Sequence, residues 1–132
     1  MKDQPAAAKR GDHIVATDIH LVLVQGSPTP LMHPFKAELK TNLSANVYFE
    51  GSEAATVGSS GKNDPPHLPT APGTAFQNRP DNVGEITSGS ETVLINDKPA
   101  ARAGDLARTC ADPTPNFKAS VQVGSPASVL IG

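Results

Sequence analysis

The sixteen residues from Ser90 to Asp105, S-E-T-V-L-I-N-D-K-P-A-A-R-A-G-D, have a near copy upstream. Ser44 to Ser59 reads S-A-N-V-Y-F-E-G-S-E-A-A-T-V-G-S, with matches at Ser44/Ser90, Val47/Val93, Phe49/Ile95, Ala54/Ala100, Ala55/Ala101 and Gly58/Gly104. Each copy holds a short apolar run of strand type, a turn, and an Ala-Ala-x-x-Gly return, the pattern of a β-hairpin and not of a helix. A third, partial copy lies at Gly124 to Gly132, which echoes Gly89 to Asn96 with one residue inserted. Hairpins share composition, so chance likeness is the alternative reading. A fixed repeat instead predicts three pseudo-equivalent units arranged about an axis. Val47, Phe49, Val93, Ile95, Val129 and Ile131 are then the strand residues of that three-sided platform, packed in its core or facing a partner.

Outward from the repeat, the chain keeps the same character. Ile14 to Val24 is rich in β-branched residues without helical spacing and predicts one or two strands, broken by Gly26-Ser27-Pro28-Thr29-Pro30. A further strand is expected from His33-Pro34 through Phe35, Leu39 and Leu43, and another over Ser44 to Gly51. Residues 58–80 are dominated by Ser, Gly, Pro, Asn and Thr, which predicts a long loop with neither central strand nor helix. No amphipathic helix is visible. The fold class is all-β, with residues 1–10 as an N-terminal tail and 11–132 as one domain.

A chain of 132 residues is one domain's worth. Lys plus Arg is 11 against 13 Asp plus Glu, a balance that argues against a nucleic-acid partner, which needs a basic surface. Only 4% of residues are aromatic, so the apolar core is thin and calls for an additional staple. One cysteine, Cys110, excludes an internal disulfide. Lys2, Lys9 and Arg10 are not followed by an apolar leader segment, and the longest apolar run, Leu21 to Val24, is far short of a membrane span. The expected place of synthesis is the cytoplasm, where a thiol stays reduced.

The remaining staple is a metal. His20, His33, His67 and Cys110 supply the imidazole and thiolate donors that zinc takes in a closed tetrahedral site. Their wide spacing is not that of a zinc finger, but three of them sit in rigid turn contexts. His33 precedes a proline, His67 lies in Pro-Pro-His-Leu-Pro, and Cys110 precedes Ala111-Asp112-Pro113. His13 is set aside: on a single strand it points to the face opposite His20. Ordinary surface histidines and a free thiol are the alternative for the set.

Lys98-Pro99-Ala100-Ala101-Arg102-Ala103-Gly104-Asp105, with Thr109-Cys110-Ala111-Asp112-Pro113 after it and the two proline-flanked histidines upstream, resembles the PAAR-repeat family. The motif itself is Pro99, Ala100, Ala101 and Arg102. The likeness runs from about Gly11 to Gly132 and departs from the usual Asn-Gly turn at Asn96-Asp97. It implies a small β-rich cone with a three-sided base and a Zn2+ near the apex, held by His20, His33, His67 and Cys110. It also implies a non-enzymatic role: a tip that caps a trimeric VgrG-like spike in type VI secretion or phage-tail-like particles. Such a tip helps pierce the target membrane, sometimes with effector proteins. The protein is then made in the cytoplasm, assembled on the injection particle and expelled. Two other readings are a zinc hydrolase with an open metal site and an effector adaptor with no piercing role. His-Glu-x-x-His, Gly-x-Ser-x-Gly and P-loop patterns are absent.

Overall fold

The computed structural model describes residues 4–124 and 128–132, all of them strand, turn or irregular chain without helix. The strands are β1 (His13–Val24), β2 (Ser27–Glu38), β3 (Tyr48–Phe49), β4 (Ser52–Glu53), β5 (Ser60–Lys62), β6 (Ala75–Phe76), β7 (Val83–Ile86), β8 (Leu94–Ile95), β9 (Lys98–Pro99), β10 (Leu106–Thr109) and β11 (Asn116–Gln122). The main sheet has the order β2-β1-β11-β10-β7-β5, with β6 added on β1. It curls until β5 reaches β2: Ala37 bridges Asn63, and a side chain at Gly61 would collide with the Glu38 carbonyl.

β1 and β2 form one long hairpin, paired from His13↔Glu38 to Val24↔Ser27. The turn needs only Gln25 and Gly26, both at positive φ, the primed geometry that matches strand twist. The break expected at Gly26–Pro30 is therefore confined to the turn, and Ser27–Pro30 belongs to β2. Pro28, Pro30 and Pro34 share one parity, so their missing N–H groups lie on the side away from β1. An edge strand tolerates proline there, and proline also blunts the edge against indiscriminate pairing. The 58–80 segment is irregular for most of its length, but Ser60–Lys62 pairs with β7 and Ala75–Phe76 with β1, two short strands that the loop reading missed.

At one end lie three equivalent units. Tyr48 pairs with Glu53, Leu94 with Pro99, and Leu130 with Ala6. The closing bonds repeat: Ala54 N to Val47 O, Ala100 N to Val93 O, and Ala7 N to Val129 O, at 2.9, 3.0 and 2.9 Å. A cyclic ladder ties the units together, in which Ala8 N donates to Ala101 O, Ala101 N to Ala55 O and Ala55 N to Ala8 O, each at 3.0 Å. Each return ends in the same turn, with Gly11, Gly58 and Gly104 at positive φ. In each turn a side-chain oxygen of Asp12, Ser59 or Asp105 accepts the N–H three residues earlier, from Lys9, Thr56 or Arg102. The base is pseudo-threefold, as the repeat predicted. Asn96 and Asp97 make their turn at positive φ, so the departure from Asn-Gly is absorbed.

The third unit is built from separated segments. Its strand, Val129–Ile131, was legible in the sequence, while Ser125–Ala127 of that copy lies outside the described residues. Its return comes from residues 5–12, of which 5–10 fall in the expected N-terminal tail of residues 1–10. Among the described residues of that segment, Ala7 and Ala8 are buried and complete the ring.

Small side chains fill the interior, as a low aromatic content requires. One cluster gathers Ala8, Ala55 and Ala101 with Ile14, Phe35, Leu39, Ile86 and Val121. A second, under the base, holds Ala7, Ala54, Ala100, Ile95 and Ile131, with Val47, Phe49 and Val129 packed against it. Five of the six platform residues therefore face inward, and Val93 is at the margin of exposure.

Candidate metal centre

The histidine cluster lies toward the far end of β1 from this base. β1 alternates, placing Ile14, Asp18, His20 and Val22 inside while His13 takes the opposite face. His13 stays apart, lining a surface groove with Lys36, Lys40 and Lys62. The long hairpin sets His33 directly across from Asp18. His67 comes from the loop after β5, where its backbone N–H is held by Asn82 Oδ1 at 2.9 Å. Cys110 follows β10, and the next turn is tied back when Asp112 N donates to Ile19 O at 2.8 Å.

These four elements bring three imidazoles onto one spot. Ring centroids are 4.8 Å apart for His20–His67, 5.4 Å for His20–His33 and 5.5 Å for His33–His67. Phe76 packs against His20 and His33, and Phe35 against His67, shielding the cluster from water. Cys110 Sγ lies 3.6 Å from His20 Nε2. His20, His67, Cys110 and Asp18 each offer a donor atom within 4.8 Å of the others. His33 borders that group but points its nitrogens elsewhere: Nδ1 meets Leu31 O at 2.9 Å, and Nε2 accepts the Thr70 N–H at 3.1 Å.

Asp18 is the member that the sequence reading missed. It is fully buried. Its Oδ1 accepts from Thr109 Oγ1 at 2.6 Å and Asn116 Nδ2 at 3.2 Å. Its Oδ2 faces His67 Nε2 at 3.5 Å and the Cys110 sulfur at 3.8 Å. The available signal was parity, since residues two apart on a strand share a face and His20 was already assigned inward.

The electrostatics are those of a dry, crowded site. Burial alone raises the Asp18 carboxyl, but the nearby His67 ring and the bonds from Thr109 and Asn116 outweigh it and hold the group below its ordinary value. Burial lowers His20, helped by the neighbouring His67, and burial also lowers His33 against the pull of the Leu31 carbonyl. Burial pushes the Cys110 thiol up to about 12. His20 Nδ1 and His67 Nε2 are buried without a hydrogen-bond partner. Orphaned buried nitrogens call for an explanation. A cluster of two such histidines, a thiol and a carboxylate has the donor set of a divalent transition-metal site.

Residues 77–132 match the family model described as the PAAR motif. No curated protein and no solved structure matches the chain.

Proposed function

From the premise that this chain carries a PAAR motif over residues 77–132, we propose that it is a structural tip, not an enzyme, which caps the trimeric VgrG-like spike of a contractile injection machine. The observation that carries this reading is the base. Tyr48, Leu94 and Leu130 occupy equivalent positions in the three units, and they are 54%, 61% and 53% exposed. Val47, Phe49, Ile95, Val129 and Ile131 beside them turn into the core, so these three side chains, with Val93 at their margin, are the apolar face left outward. A monomer with a pseudo-threefold apolar base can meet three identical chains through nearly repeated contacts.

At the other end, zinc is the proposed staple, with His20, His67 and Cys110 as ligands; the family resemblance assigns His33 as the fourth, but its Nε2 is engaged here by the Thr70 N–H, which leaves the fourth position to another donor. The ion would supply directional bonds joining β1, the 63–74 loop and the turn after β10. Structural zinc contributes roughly 10–16 kcal/mol in small domains at neutral pH, as much as a whole domain's stability. A rigid end suits a part driven through a membrane, and the localisation proposed is on the assembled particle and then outside the cell or in the target. Effector proteins are further proposed partners.

The test is assembly with a purified trimeric VgrG-like spike. One copy of this chain per trimer is expected, and replacing Tyr48, Leu94 and Leu130 together by Asp should abolish the complex while leaving the melting temperature of the free chain within a few degrees. Failure of the wild-type chain to bind, or undiminished binding by the triple variant, would refute the docking face.

A further inference from the structure

Asp18 has a place in this centre that the motif does not assign. We infer that Asp18 Oδ2 is a donor to the bound divalent ion and supplies its second negative charge. This rests on the metal-binding reading above and deepens it.

Two independent features carry the inference. The first is spacing. Donors held about 2.0–2.3 Å from one tetrahedral ion stand roughly 3.3–3.8 Å from each other. Asp18 Oδ2 is 3.5 Å from His67 Nε2 and 3.8 Å from Cys110 Sγ, and His20 offers a ring nitrogen within 4.8 Å of all three. The two Asp18 distances fall on the edge length of such a shell, while His33 Nε2 is engaged by the Thr70 N–H. The second is charge. A divalent ion with one thiolate and any number of neutral imidazoles leaves one positive charge in a buried site, which is costly to keep there. A carboxylate beside the thiolate brings the sum to zero. Asp18 is 0% exposed, and Thr109 and Asn116 fix its Oδ1 so that Oδ2 is turned to the cluster. Those two are positioning residues of the kind that orient metal-bound carboxylates.

The isosteric variant Asp18→Asn keeps an oxygen for Thr109 and removes the charge. Zinc affinity, measured by chelator competition, is expected to fall at least 10–100-fold, the loss seen even for outer partners of metal ligands. Thermal melts add a signature that a packing defect would not give. Metal-free Asp18→Asn should melt modestly below metal-free wild type, because the bonds from Thr109 and Asn116 lose their charged acceptor, and with zinc the deficit should widen, as stabilisation by the ion is lost as well. A second measurement needs no variant: the Asp18 side-chain carboxyl carbon, followed by NMR in the labelled wild-type chain, should shift and saturate at one equivalent of zinc. Equal affinity in both proteins, or an Asp18 resonance unmoved while zinc binds, would overturn the assignment. Absence of zinc binding by wild type would instead remove the metal-centre reading itself.

Discussion

Metal binding should release one proton per ion at pH 9, and the proton comes from Cys110. A free thiol with the ordinary value of 9.0 would be half ionised at that pH and would release about half a proton on becoming a ligand. Burial instead places the Cys110 thiol at about 12, so at pH 9 all but about one part in a thousand carries its proton. His20 and His33, lowered by burial, are neutral at this pH and Asp18, held below its ordinary value, is ionised, so none of the three contributes. The difference between one and one half is readable by titration calorimetry, comparing apparent enthalpies in buffers of different ionisation enthalpy. The same protonation makes affinity rise about tenfold per pH unit through pH 9 where an ordinary thiol would level off. The Cys110→Ser variant should release none. A stoichiometry of one half, or the same count in wild type and Cys110→Ser, would refute the reading that a buried, protonated thiol becomes a ligand.

Cys110→Ser and His67→Ala should each lose bound zinc and lower the melting temperature sharply, whereas His13→Ala should do neither. Metal analysis of the purified variants checks this, and equal loss in all three would place the ligands elsewhere. Without metal, stability should be flat between about pH 6.5 and 9 and decline on both sides. His20 and His33 titrate below their ordinary value in the folded chain, so on acidification the unfolded chain takes protons first and stability falls below about 6.5. Cys110 is raised, so stability is complete below 9 and lost as pH climbs toward 12. Melting temperatures in chelator across that range should trace the plateau; an unchanged value at pH 5 would contradict the buried neutral histidines.

The all-β class and the threefold base could be read from residue type because the repeated units impose the same local rules on the same positions. Ser44 and Ser90 cap their turns identically, each hydroxyl accepting N–H groups two and three residues on. The return formed by residues 5–12 escaped because its partner strand is some 120 residues away in sequence, beyond what a search for contiguous copies detects; yet Ala7-Ala8-Lys9-Arg10-Gly11-Asp12 follows Ala100-Ala101-Arg102-Ala103-Gly104-Asp105 closely. Of the two short strands in 58–80, β5 was hidden for another reason. β5 has no apolar face of its own, and Gly61 is there because β5 must approach the β2 backbone to close the sheet.

At the metal centre, strand parity separated His13 from His20 correctly, and the same parity applied to Asp18 would have added the carboxylate. What sequence order cannot supply is which nitrogen of a histidine is already taken. His33 occupies the right place on β2, opposite Asp18, but the Thr70 N–H meets its Nε2. Thr70 also donates its hydroxyl to Met32 O at 3.0 Å, so the loop that delivers His67 is fastened to β2 through the residue that engages His33. The two histidines are thereby coupled: a loop displaced to free His33 Nε2 displaces His67 as well. Ligand geometry at this end therefore depends on the 63–74 loop as a unit. That gives the proline-rich segment a physical task, which is to hold one imidazole and restrain another within reach of Asp18 and Cys110.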